Sequence, residues 1–147
     1  MTVRLGNWDD VLQQLDGIRR APASALDGPW PLPVALAHCA QSIELSMIGY
    51  PVMRSALFRA TLGRLAKRRF LARGVMSHDR AAPIPGAPAV KDESLSPALG
   101  RLRGAIAAFQ AFHGELAPHL AYGKCTKVEY ERLHAMHVAD HLSLLRG

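Results

Sequence analysis

Apolar residues in this chain return every three or four positions and hardly anywhere alternate. Trp8, Val11, Leu12, Leu15 and Ile18 share one helical face, as do Leu99, Leu102, Ile106, Phe109 and Phe112 further along. Such spacing lines up one stripe of an α-helix, whereas a half-buried strand needs apolar residues at every second position. No alternation is long enough to suggest a strand, and no internal repeat is present. The chain is therefore expected to be all-α.

Gly and Pro punctuate that pattern. The first helix covers about 7–20 and is followed by the break Gly28-Pro29-Trp30-Pro31-Leu32-Pro33, in which Pro31 or Pro33 suits a first helical turn. The second, about 33–49, is apolar on more than one side (Val34, Leu36, Ala37, Ala40, Ile43, Leu45, Met47, Ile48) and so is expected to be buried. It ends at Gly49-Tyr50-Pro51. Leu57, Phe58, Thr61, Leu62, Leu65 and Phe70 mark a further helix within 54–73. The stretch 74–97, with Pro83, Pro85, Pro88 and Pro97, reads as a long irregular connection of the kind that forms a lid or a site wall. Helix resumes at about 97–113, with Pro97 in its first turn, and breaks again over 114–124. Thr126-Lys127-Val128-Glu129 matches a capping box opening a last helix that runs to about Leu145. Four main helices and a fifth basic one, with one long connection, point to an α-helical bundle.

The 147 residues suit a single domain over 1–147. With 49% hydrophobic and 20% charged residues, the chain can build a core and is not of the disordered class. Cys39 and Cys125 lack C-x-x-C spacing and read as reduced thiols of a cytosolic protein, a disulfide between them being the alternative. The N-terminal stretch carries no apolar signal core, and no apolar run approaches the roughly 18 residues of a membrane span. The expected address is the cytoplasm.

The net charge of +6 is unevenly spread: 54–73 holds Arg54, Arg59, Arg64, Lys67, Arg68, Arg69 and Arg73 and no acidic residue. Such a block attracts phosphate, an anionic membrane or an acidic substrate, or is simply a solvated helix face. Without interleaved aromatics or a DNA-reading motif, nucleic acid is not an expected partner.

Three of the seven histidines fall in Leu133-His134-Ala135-Met136-His137-Val138-Ala139-Asp140-His141-Leu142. At about 100° per residue, Tyr130, Leu133, His134, His137, His141 and Leu144 form one stripe, so its histidines face the core with its apolar members. His134 and His141 stand about 10.5 Å apart along the axis, too far to share one ion whose donors sit some 3–4 Å from each other. His137 with His141, one turn apart, is the preferred pair, and His134 with His137 the alternative. His38, in the apolar second helix, would be the third ligand, leaving coordination positions open as in a catalytic site. The competing reading is a set of core histidines hydrogen-bonded to backbone carbonyls. His78, His113 and His119 lie in or beside loops and are expected to be solvated. Cys39 diverges from His38 by about 100° and should pack in the core, while Glu44, about 120° round the same helix, is a weak ligand candidate.

The run from Ala37 to Pro51, with Ala66-Lys67-Arg68-Arg69-Phe70, Pro83-Ile84-Pro85-Gly86-Ala87-Pro88 and Leu133 to Ser143, resembles the signature of a bacterial family of unknown function, DUF1569. The match spans about 8–145. That family is similar to the DinB and YfiT-like superfamily of metalloenzymes, which implies an up-up-down-down four-helix bundle whose long crossover here contains the basic helix and the proline-rich loop. The resemblance also implies a divalent metal (Zn, Ni, Fe or Mn) on His38, His137 and His141. Asp140 stands where relatives often carry another histidine, a departure that alters what surrounds the ligands. The implied activity is that of a metal-dependent thiol (S-)transferase, with a small thiol or other anionic small molecule as substrate held by arginines of 54–73, and a homodimer as the expected assembly. The alternatives are a metal-dependent hydrolase and a non-catalytic ligand-binding or dimeric interaction bundle with a vestigial site.

Overall fold

The computed structural model describes residues 3–20, 25–91 and 93–146. Among them are six helices: α1 (Trp8–Arg20), α2 (Leu32–Ile48), α3 (Ala56–Ala60), α4 (Leu62–Arg73), α5 (Leu95–Ala111) and α6 (Lys127–Leu142). Two short strands, β1 (Ala25–Leu26) and β2 (Leu145–Arg146), pair antiparallel.

Helix α1 starts where Asn7 Oδ1 accepts the Asp10 N–H at 2.9 Å. It carries Asp9 and Asp10 in its first turn and Arg19 and Arg20 in its last, complementing the helix dipole at both ends. Its buried residues are Trp8, Val11, Leu15 and Ile18, the expected stripe except for Leu12, which is half-buried. In α2, burial is continuous from Ala35 to Ile43, as its all-round apolar character predicts. Pro33 sits in its first turn, and Gly49, at φ 109°, ends it with an N–H bond to the Leu45 carbonyl. The capping box of α6 is present in both directions: Thr126 Oγ1 accepts the Glu129 N–H at 3.1 Å, and Glu129 Oε1 accepts the Thr126 N–H at 2.9 Å.

Two expectations are corrected. The basic stretch is two helices, broken at Thr61 (φ −116°, ψ −93°), whose hydroxyl donates to the Leu57 carbonyl at 2.6 Å. The break lets α4 press Gly63 against the 119–123 turn so closely that a Cβ there would lie 1.8 Å from the Ala121 carbonyl oxygen. The last helix stops at Leu142 rather than near Leu145. Ser143 Oγ donates back to the Ala139 carbonyl at 2.8 Å, and the chain then leaves to pair Leu145 with Leu26. The long connection after α4 is irregular, as its prolines indicate.

Helix α2 packs against α5 and α6, α1 against the same two, and α4 against α6. The shared core contains Val11, Leu15, Leu36, Ile43, Leu102, Ile106, Phe109, Tyr130 and Val138. Burying so many large apolar side chains, each worth about 1.5–3 kcal/mol, is the main force holding the helices together. Tyr130 satisfies its buried phenol by donating to the Ala117 carbonyl at 2.6 Å. Cys39 and Cys125 are buried and free, Cys39 packing in the core as expected. Among the described residues no helix is long and apolar enough to cross a membrane.

Candidate metal centre

His38 projects from the middle of α2, and His137 and His141 from successive turns of α6. These three expected residues meet, and a fourth joins them: His78, from the connection after α4. One ring nitrogen from each of the four lies within 4.8 Å of the others. His38 Nε2 is 3.2 Å from His137 Nε2, and His78 Nε2 is 3.1 Å from His141 Nε2. The rings of His38 and His78 each lie 4.7–5.2 Å, centre to centre, from both rings of the α6 pair. The 3.1 and 3.2 Å separations match donors sharing one ion at about 2.0–2.1 Å, which sit some 3–4 Å apart, while the 4.8 Å span of the whole set is wider than that.

His78 overturns the expectation that it is a solvated loop residue, and its neighbours explain why. Its Nδ1 lies 2.6 Å from Asp140 Oδ2, both atoms being buried. Neither has another partner among the described residues, and a proton on Nδ1 would serve both while Nε2 faces the cluster. Arg80 fixes the carboxylate from the far side, Nη2 donating to Asp140 Oδ1 at 2.8 Å and Nε to the Asp140 carbonyl at 3.2 Å. Burial pushes the Asp140 carboxyl up, but the bonds from His78 and Arg80 outweigh it and hold the group below its ordinary value.

Burial disfavours the charged form of the three helical imidazoles. Burial, then the charge of His78, lowers His38 to about 4, and the same two causes in the same order lead in lowering His141 to about 3. Burial and then His38 push His137 well below the usual range. Neutral imidazole is the ligating form. Among the described residues, no backbone carbonyl accepts a bond from any of the four, contrary to the core-histidine reading; their ring partners are each other and Asp140. Four nitrogens facing one another at these distances form a cluster that could hold a metal ion.

Trp30 closes one side, its ring parallel to His141 at 5.7 Å and edge-on to His38 at 4.8 Å. The proline break before α2 is what places it there. On the other side lies a cavity of about 380 Å³, reached by His38, His78 and His137 and walled by Met76, Pro83, Ile84 and Leu120. The proline-rich connection thus forms a wall of this cavity. Arg54 is the only basic residue of 54–73 that lines it, whereas Arg59, Arg64 and Lys67 line a separate cavity of about 550 Å³ with Lys124 and Glu129.

The remaining candidates have other partners. His134 is buried, its Nε2 3.1 Å from Ser46 Oγ and its ring stacked on Tyr130. Ser46 donates its own proton to the Ile43 carbonyl, so the His134 N–H is the donor in that pair, and the alternative pairing with His137 is not used. His119 is not solvated: its Nδ1 accepts the N–H groups of Ala121 and Tyr122, and burial lowers it to about 3. His113 is exposed, as expected. Glu44 makes a two-pronged pair with Arg101, at 2.7 and 3.1 Å, and is no part of the cluster.

His78 had one signal in the sequence, as the only histidine of the long connection marked as a possible site wall; Trp30 and Arg80 had none. A model of the family described as "Protein of unknown function (DUF1569)" matches residues 1–147. No curated protein and no solved structure matches the chain.

Proposed function

The chain belongs to the DUF1569 family, and from that premise we propose that it is a metalloprotein whose divalent ion sits among His38, His78, His137 and His141. The convergence of four imidazoles, one of them oriented by Asp140, carries this reading. Imidazole nitrogens suit zinc, nickel or iron, whereas manganese, the fourth ion expected, prefers oxygen ligands. The mutual packing of α1, α2, α5 and α6 supports the up-up-down-down bundle of DinB-like proteins, with α3, α4 and the proline-rich loop in its crossover.

The reaction this centre serves best is activation of a small thiol or of water, which makes the protein a metal-dependent transferase or hydrolase. A bound divalent ion supplies Lewis acidity and lowers the pKa of such a nucleophile to near neutrality. The protein's own residues set up the rest. Asp140 and Arg80 hold His78 in place, Trp30 keeps water from the His141 side, and the cavity beside His38 and His137 admits a small, largely apolar substrate. Arg54 can pair with one anionic group on it.

The donor count also favours a second reading. Four imidazoles can close a tetrahedral shell, as structural sites do, and the protein would then bind metal without catalysis. Metal analysis of untagged protein, with His137→Ala beside the wild type, tests the centre; a wild type that stays empty after reconstitution with zinc, nickel, iron and manganese overturns it. Cobalt(II) absorption then separates the readings: intense visible bands mark a closed tetrahedral shell, and weak ones an expanded, open shell.

A further inference from the structure

Helix α4 turns Gly63, Lys67 and Phe70 inward. At about 100° per residue, the opposite arc carries Leu62, Leu65, Arg68, Arg69, Ala72 and Arg73, every one of them exposed. Leu62 is 63% exposed and Leu65 54%, and Leu57, just before the Thr61 break, is 74% exposed. Among the described residues, Arg64, Arg68, Arg69 and Arg73 take part in no ion pair, and 54–73 contains no acidic residue. An outward helical face that intersperses exposed leucines with charge of a single sign is unusual for a surface that meets only water.

From this pattern we infer that the outer face of α3 and α4 is a docking surface for an anionic phospholipid bilayer. Arginines draw the face to the headgroups, and Leu57, Leu62 and Leu65 sink into the boundary between headgroups and acyl chains while α4 lies in the plane of the interface. Charge complementarity fixes the sign of the partner, and the leucines fix its class. Nucleic acid would meet such arginines without any use for three exposed leucines, and none of the large apolar residues exposed on the face is an aromatic for bases to stack on. A protein partner's contact centre is typically anchored by aromatic rings, and the large apolar residues exposed on this face are all leucines. The docking depends on neither the histidine cluster nor an ion in it.

Flotation of the full chain with vesicles tests the inference. Binding is expected to vesicles of equal parts phosphatidylcholine and phosphatidylglycerol at low salt, to vanish with pure phosphatidylcholine, and to fall steeply as salt shortens the screening length from about 10 Å at 0.1 M to about 3 Å at 1 M. Leu62→Ser combined with Leu65→Ser should weaken binding by roughly tenfold or more with an unchanged circular dichroism spectrum. A triple variant, Arg68→Gln, Arg69→Gln and Arg73→Gln, should abolish it. Leu65→Cys, labelled with an environment-sensitive fluorophore, should shift to the blue on anionic vesicles, the two native thiols being buried. No flotation at low salt overturns the inference, as does a leucine variant that binds as well as the wild type. So does tight, salt-sensitive capture of DNA or RNA to which the leucines make no difference.

Discussion

His78 Nδ1, on the connection after α4, lies 2.6 Å from Asp140 Oδ2 on α6, with Arg80 holding the carboxylate from behind. A loop side chain is thereby given the orientation that His137 and His141 receive from their helix. If this is its purpose, Asp140→Ala should lower metal affinity by about 10–100-fold without changing the number of ions bound. Competition against a chelator measures it, and an affinity equal to the wild type's removes the role given to Asp140.

His78→Ala and His137→Ala should behave differently. The second removes a donor held rigidly by α6 and should abolish binding. The first leaves the three helical donors in place and should weaken binding by more than Asp140→Ala does without eliminating it. Elemental analysis of the two variants side by side gives the answer. Equal metal content in the wild type and His78→Ala would return His78 to the status of a neighbour.

Much of this arrangement could be read from residue spacing, because a helix converts sequence distance into direction. His137 and His141 had to share a face, the apolar run around His38 had to be buried, and Thr126 with Glu129 had to start α6. What spacing does not encode is a loop. His78 has no periodic neighbours to give it a side, and it reaches the cluster only because a carboxylate waits there. The break at Thr61 was hidden for a related reason: threonine is no helix stop, and the break accommodates the tertiary contact of Gly63 with Ala121. The end of α6 depends on a strand partner, Ala25–Leu26, far away in the chain.

That contact makes Gly63→Ala a sharp test of packing between α4 and the 119–123 turn. The methyl group would collide with backbone rather than with a flexible side chain, so α4 or the turn must shift. Destabilisation of about 1–3 kcal/mol is expected, read as a lowered urea midpoint at unchanged slope.

His134 links stability to pH. Burial, with His119 adding to it, lowers its folded pKa to about 3, against about 6.5 when unfolded. As pH falls below about 6.5 the unfolded chain takes up the proton first. The stabilisation present above that pH is therefore lost progressively toward about pH 3, at a slope approaching about 1.4 kcal/mol per pH unit for this one group. His134→Gln keeps a donor for Ser46 and should flatten the dependence by about one proton, as measured by denaturation between about pH 7 and about pH 4. An identical slope in wild type and variant would place the titration elsewhere.

Of the four imidazoles in the cluster, three come from helices that are locked into the core and one from a stretch of backbone with no regular hydrogen bonding. An ion gripping all four would act as a clasp between them. Its free energy of binding would be spent partly on holding 75–90 against α6, so the wall of the cavity would be ordered by the same event that fills the centre. Protease sensitivity of that connection would then report metal occupancy, and chelation would loosen the substrate's enclosure while leaving the helices intact.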